Sequence, residues 1–236
     1  VSIPEMLQGK YVTNINLATD STEDSIKYNI VNTLTDEIIV KGTKTWKDNN
    51  NGYETRPEFI VIRLQRYNGE SWSNYLIEEV YPDANGKWTY SFAELPKYDY
   101  SGTKYEYRVQ ELPLEETEEG YYIPTYPETV ETHEDITCDI LNTLSGKTEL
   151  GGDKVWKDNN NAYNTRPNSI IVNLLANGEK VRELEVSEGE SGDWSFLFSN
   201  LIKYDDEGVK IKYSIEENEV IDYVGKVEEN TITNTL

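Results

Sequence analysis

Along most of the chain, apolar and polar residues alternate one by one in short runs, and clusters of Asn, Asp, Gly and Pro separate the runs. Alternation with period two marks half-buried β-strands, and those four residue types supply turns. Val40 to Trp46, Ile60 to Tyr67 and Tyr105 to Glu111 are runs of this kind. The stretches RPEFIVIRLQRYNGESW and RPNSIIVNLLANGEKVRELEV each read as a strand followed by a turn. No segment sustains a helical period beyond a turn or two. The pattern predicts an all-β chain, and an antiparallel sandwich of about seven strands suits each stretch of roughly 100 residues.

The alternating runs recur in the same order. TKTWKDNNNGYETRP (43–57) returns as DKVWKDNNNAYNTRP (153–167), and GKWTYSFAELPKYD (86–99) as GDWSFLFSNLIKYD (192–205). YEYRVQE (105–111) matches IKYSIEE (211–217), and DILNTL (139–144) matches TITNTL (231–236). The spacing between counterparts shrinks toward the C-terminus, so the second copy is shorter, chiefly around ETEEGYYIPTYPETVETHED. NIVNTL (29–34) repeats the terminal block once more, and QGKYVTN before it resembles EGYYIPT. Fixed-order self-similarity at this length is the signature of tandem repeats. It predicts two full domains, 35–145 and 146–236, preceded at 1–34 by the C-terminal fragment of another repeat. The short links TLTDE and TLSGK predict domains held end to end.

Strand parity then brings out unexpected residues. Side chains alternate between the two faces of a sheet, so Val40, Gly42, Lys44 and Trp46 share one face, as do Leu150, Gly152, Lys154 and Trp156. The presence of tryptophan predicts that this face is buried, which places a lysine inside each domain. Lys41, Lys47 and Lys157 have the opposite parity and are expected in solvent. By the same rule Glu111 shares a face with Tyr107 and Val109, and Glu217 with Tyr213 and Ile215. Asn142 goes with Cys138, Ile140 and Leu144, and Asn234 with Ile232 and Leu236. Each copy thus directs one Lys, one Glu and one Asn inward. Unpaired, each would cost several kcal/mol of desolvation, so the three are expected to meet.

Two chemistries fit such a trio. One is a buried Lys–Glu ion pair with an Asn hydrogen-bonded alongside. The other is covalent: burial lowers the pKa of an amine and raises that of a carboxyl, which leaves a nucleophile beside an acid. The acid would donate to the Asn carbonyl oxygen and shuttle protons as ammonia leaves, giving a Lys–Asn isopeptide bond between first and last strands.

Composition narrows the alternatives. The chain has 44 Asp plus Glu against 22 Lys plus Arg, for a net charge of −22, with one cysteine and one histidine. Such acidity argues against nucleic-acid binding and adhesion to anionic membranes. No apolar run approaches the roughly 18 residues of a spanning helix, and no signal-like segment opens the chain. One cysteine forms no intrachain disulfide, and Cys138 with His133 cannot assemble a Cys/His zinc site. No metal site and no cofactor are expected. Cys138 reads as a core thiol, and His133, in ETHED, as exposed. KDNNNGYETRPE resembles a calcium loop, but Lys47 stands at the first ligand position, and the second copy has Ala162 and Asn168 at the Gly and Glu positions. Exposed aromatics are the main rival basis for function, as contacts to a host protein or glycan. Trp46, Trp88, Trp156 and Trp194 recur between copies and read as core. Trp72, in NGESWSN, has no counterpart and is the candidate for a surface contact.

Taken together, the K-x-W-x-D opening, the R-P step, W-x-[YF]-x-F, the K-Y-D block, Y-x-[VI]-x-E and the closing [IL]-x-N-T resemble the B-type repeats of Gram-positive collagen adhesins. The same domain type recurs in pilins and other wall-anchored proteins. The resemblance covers both full copies and the fragment at 1–34. It implies tandem inverse immunoglobulin-like Greek-key sandwiches arranged as a rod. It also implies spontaneous bonds from Lys44 to Asn142, assisted by Glu111, and from Lys154 to Asn234, assisted by Glu217. Two departures from pattern stand out: Ile202 replaces the Pro96 of the first copy, and Glu216 adjoins Glu217, so the choice of acid rests on parity. Asn32 has the terminal motif without an upstream Lys and is expected to be unbonded here. The implied role is a structural stalk or spacer on the extracellular, wall-anchored surface of a Gram-positive bacterium. No enzyme activity beyond the single autocatalytic turnover is implied. Partners would be neighbouring repeats and, through another domain, host matrix or cell-surface molecules.

Overall fold

A computed structural model describes residues 11–236. Its packing divides the chain into two compact units: residues up to Trp46 with Thr55–Glu115 and Pro124–Asn142, and residues Lys47–Glu54, Glu116–Ile123 and Thr143–Leu236. The described residues form strands and turns throughout, and no helix is long and apolar enough to cross a membrane.

Strands β1 (Tyr11–Leu17) and β2 (Tyr28–Leu34) form an antiparallel hairpin, with Tyr11 opposite Leu34 and Leu17 opposite Tyr28. One face carries Ile15, Leu17, Tyr28 and Ile30, all exposed. Then follow β3 (Glu37–Lys47), β4 (Ile60–Tyr67), β5 (Trp72–Val80), β6 (Trp88–Pro96) and β7 (Glu106–Glu111). The first repeat ends with β8 (Tyr121–Thr125), β9 (Val130–Glu131), β10 (Asp135–Thr137) and β11 (Ile140–Ser145). One sheet runs β8-β11-β3-β10-β9, with β6 also paired to β3, and the other runs β5-β4-β7. The alternation from Ile38 to Lys44 and from Ile60 to Leu64 buries one face of each sheet, and the two faces close on a shared core of aliphatic residues with Trp88, Tyr90 and Phe92.

The second repeat is the simpler version. Its strands are β12 (Lys147–Lys157), β13 (Ser169–Ala176), β14 (Glu179–Ser187), β15 (Ser195–Ile202), β16 (Tyr213–Glu217), β17 (Val224–Glu228) and β18 (Thr231–Thr235). They form the sheets β15-β12-β18-β17 and β14-β13-β16 around Ile170, Val172, Leu174, Trp194, Phe196 and Phe198. The chain changes sheet between β12 and β13, β14 and β15, β15 and β16, and β16 and β17, which is Greek-key connectivity.

In this topology the first and last strands of a repeat lie side by side and parallel. Lys154 pairs with Ile232 and Trp156 with Asn234. Glycine permits the close approach: a Cβ on Gly152 would overlap the Asn230 carbonyl, and one on Gly42 the Cys138 carbonyl, to which the Tyr90 hydroxyl donates. Leu236 departs from the parity expectation. It lies beyond β18, its N–H bonds the Lys157 carbonyl, and its side chain is exposed.

Candidate functional site

Three strands from two sheets deliver the site in each repeat. In the first, β3 brings Lys44, β7 brings Glu111 and β11 brings Asn142, all at most 4% exposed. Lys44 Nζ lies 3.5 Å from Glu111 Oε2, and Asn142 Nδ2 donates to Glu111 Oε1 at 3.0 Å. The amine also rests 3.9 Å above the Trp46 ring. Asn142 Oδ1 is buried without a hydrogen-bond partner. The expected orientation had the acid on the amide oxygen; instead the carboxyl faces the amide nitrogen. An ionised carboxylate accepts only, so it selects N–H; once protonated it can donate, and a half-turn of the amide then presents Oδ1.

The second repeat reproduces the arrangement. Lys154 Nζ lies 3.3 Å from Glu217 Oε1 and 4.1 Å from the Trp156 ring centre, and Asn234 is fully buried. Glu216, the neighbouring acid, is exposed on the opposite face. Both amide atoms of Asn234 lack hydrogen-bond partners. Gly225 faces Asn234 on β17, and a Cβ there would come within 3.1 Å of Asn234 Oδ1 and 3.3 Å of Glu217 Oε2, so only glycine leaves the pair its room. Unsatisfied polar atoms in a core are costly and uncommon. Here they recur at equivalent positions.

The electrostatics follow from burial. Desolvation pushes the Glu111 and Glu217 carboxyls up, more than the adjacent lysines pull them back. Burial likewise pushes the Lys154 amine down against the pull of Glu217. Where no bond can form, as in Asn234→Ala, the raised Glu217 has a testable consequence. Unfolded chains lose this proton near the ordinary 4.5, whereas folded ones keep it to higher pH. The folded state therefore binds more protons across that interval, and stability falls as pH rises through it. Urea melts of Asn234→Ala and Asn234→Ala/Glu217→Gln from pH 4 to 8 should differ by this slope; parallel curves would contradict it.

A supporting clamp escaped the parity reading. Asp158, buried in the K-D-N-N-N loop, accepts from Arg166 Nε at 2.6 Å and Nη2 at 2.7 Å, from Tyr223 Oη at 3.0 Å and from the Asn161 amide at 3.1 Å. The guanidinium holds its carboxyl far below the usual range. Tyr223 packs edge-on to Trp156 at 4.9 Å, so the clamp braces the ring on which Lys154 rests. Asn159, Asn160 and Asn161 all take left-handed backbone, which asparagine tolerates best after glycine. In the first repeat Asp48 accepts from Tyr122 Oη and the Asn51 amide, both at 2.9 Å. The sequence signal was the repetition of W-K-D-N-N-N-x-Y-x-T-R-P itself.

The remaining candidates are placed as follows. Asn32 is exposed on β2 and accepts from the Thr13 hydroxyl at 2.7 Å. Cys138 is buried and its thiol pushed up by desolvation, and His133 is exposed. Trp88 and Trp194 are buried, Trp46 and Trp156 half-buried against them, and Trp72 half-buried at the start of β5. Among the described residues no cluster of three or more His, Cys, Asp or Glu is arranged to hold a metal ion.

Comparison with known proteins gives this geometry a context. The family model described as Cna protein B-type domain matches residues 40–143 and 150–235. A collagen adhesin of Staphylococcus aureus is 32% identical over 237 residues, which covers 98% of this chain and 19% of the relative. The chain thus spans about a fifth of that relative. Among solved structures, two B repeat units of the S. aureus collagen binding protein share 29% identity over 89% of this chain and 57% of that one, at TM-score 0.45. A single B repeat unit of the same protein shares 30% identity, over 85% of this chain and 98% of that one, at TM-score 0.35.

Proposed function

The chain belongs to the Cna protein B-type domain family, and from that premise we propose that it is a tension-bearing stalk segment of a bacterial surface adhesin, cross-linked within each repeat by a Lys–Asn isopeptide bond. The repeats are 35–145 and 146–236, and residues 1–34 complete a preceding repeat. The setting is the outer, wall-anchored surface of a Gram-positive bacterium, where the segment spaces a binding head from the cell. The observation that carries the cross-link is the twice-repeated buried Lys–Glu–Asn trio with orphaned amide atoms.

The reaction begins with proton transfer from the lysine ammonium to the glutamate, which burial favours because it replaces two buried charges by none. The neutral amine of Lys44 then attacks Asn142 Cγ, with the protonated Glu111 polarising Oδ1. The tetrahedral centre passes an amine proton through Glu111 to Nδ2, the Cγ–Nδ2 bond breaks, and ammonia leaves. An amine and a primary amide thereby become a secondary amide and ammonia, with Glu111 regenerated. Lys154, Glu217 and Asn234 do the same in the second repeat. Because the nucleophile is consumed, each domain turns over once.

Intact-mass measurement tests this reading. The purified chain should weigh two ammonias less than its sequence, Lys44→Ala and Lys154→Ala each one less, and the double variant its full calculated mass. An unshifted wild-type mass would refute the cross-links.

A further inference from the structure

Two features set the first repeat apart from the second, and both face one groove outside the Lys–Glu–Asn site. The first is on the sheet face turned away from the core. Arg63 and Gln65 on β4 and Arg108 and Gln110 on β7 stand where the second repeat has Asn173, Leu175, Ser214 and Glu216. The side chains brace one another: Arg63 Nη1 donates to Gln110 Oε1 at 3.4 Å, Arg108 Nε to Gln65 Oε1 at 2.8 Å, and Gln65 Nε2 to Asn74 Oδ1 at 3.0 Å. The Arg108 guanidinium stacks 4.2 Å from the Trp72 ring, which meets Tyr67 at 5.4 Å. The chain has only six arginines, and three of them, Arg63, Arg66 and Arg108, lie on these two strands. Among the described residues neither Arg63 nor Arg108 has a carboxylate within ion-pair distance, although the chain carries a net charge of −22.

The second feature is the longer return from Tyr122 to Asn142, compared with that from Tyr223 to Asn234. It includes β9 and β10 and lays Tyr126 to Thr129 beside β7, where Tyr126 Oη accepts the Glu111 N–H at 3.0 Å. Between this wall and the braced array is a groove of about 520 Å³, lined by Gln65, Arg108, Gln110, Tyr126, Thr129 and Asp139 among others. Asp139 is engaged, accepting the Thr43 N–H at 2.8 Å.

We propose that this groove binds a carboxylated saccharide, a glycan chain bearing hexuronate residues. The remaining guanidinium N–H groups of Arg108 suit a carboxylate, which they engage in a charge-assisted pair. The Gln65 and Gln110 amides keep N–H donors beyond the bonds just named, suited to ring hydroxyls. Trp72 and Tyr67 extend the array with flat apolar surface, complementary to the C–H face of a pyranose. The volume falls within the range of ligand clefts. An acidic peptide is the less suited occupant because it has no pyranose face to lay on Trp72 and Tyr67. The second repeat lacks the arginines, the glutamines and the wall together, so binding belongs to the first repeat alone.

The test uses the full chain and follows Trp indole and Gln side-chain NMR signals during titration with a hyaluronan hexasaccharide. Chitohexaose serves as the neutral saccharide and hexaglutamate as the acidic non-saccharide. Saturable shifts at Trp72, Gln65 and Gln110 are expected with the hyaluronan fragment only. Arg108→Ser/Gln110→Glu, which installs the second repeat's own residues, should weaken binding at least about tenfold, while its mass stays two ammonias below that calculated from its own sequence. The proposal fails if the hyaluronan fragment gives no saturable shift, if chitohexaose or hexaglutamate binds equally well, or if the double variant binds as tightly as wild type.

Discussion

Pulled by its two ends in a single-molecule instrument, the wild-type chain should show no unfolding step from either full repeat, whereas Lys44→Ala/Lys154→Ala should show two. The proposed cross-links would join the first strand of each repeat to the last, so force entering at β3 would leave through β11, and force entering at β12 through β18. The sheet hydrogen bonds between Lys44 and Asn142, and between Lys154 and Asn234, would then carry none of the tension. At about 3.4 Å per extended residue, the enclosed segments hold roughly 330 Å and 270 Å of contour. The double variant should release nearly all of it, the single variants one share each. Steps of this size in the wild type would mean that the strands are not joined. Unlike a disulfide, the bond should leave the trace unchanged under reducing agent.

How much of this was legible in the sequence depends on which contacts local geometry decides. Strand parity is strictly local, and Lys44, Glu111 and Asn142 converge because each sits on the buried face of its own strand. Internal repetition strengthened the reading, since Lys154, Glu217 and Asn234 had to satisfy it independently. The choice of Glu217 over Glu216 followed the same rule, and the exposure of Glu216 agrees. What parity cannot reach is any contact made by a loop. The Asp158 clamp joins a turn to Arg166 and Tyr223, and read linearly its acidic, Asn-rich stretch resembles a cation loop. Parity also fails past the end of a strand, as at Leu236, which follows β18 and leaves its side chain exposed. The groove of the first repeat was hidden for a third reason. Its wall and its array are far apart in sequence, and Trp72, the one residue singled out there, lies beside the groove rather than in it.

Blocking the bond by two different substitutions should not be equivalent, and the difference tests the electrostatics of the site. In the second repeat, Asn234→Ala removes the electrophile but leaves Lys154 and Glu217 paired at 3.3 Å. Its cost is mainly the lost constraint on the unfolded chain, about 4–5 kcal/mol for a loop of this length in the chain-entropy model. At 4–8 °C per kcal/mol for a domain of this size, that transition should fall by roughly 16–40 °C. Glu217→Ala blocks the bond as well and also strands the Lys154 ammonium in a site that already pushes its pKa down. Breaking one side of a buried pair typically costs about 3–5 kcal/mol more, so its transition should lie lower still. The two variants should also respond to alkali to different degrees. Without Glu217, the folded state gives up the Lys154 proton well before the unfolded chain does at its ordinary 10.5. Folded protein then binds fewer protons, and its stability rises with pH through that window. Asn234→Ala, whose amine keeps its carboxylate, should rise much less. Calorimetry between pH 6 and 10 separates the cases: equal melting at every pH would remove the charge argument, and wild-type melting in Asn234→Ala would remove the bond.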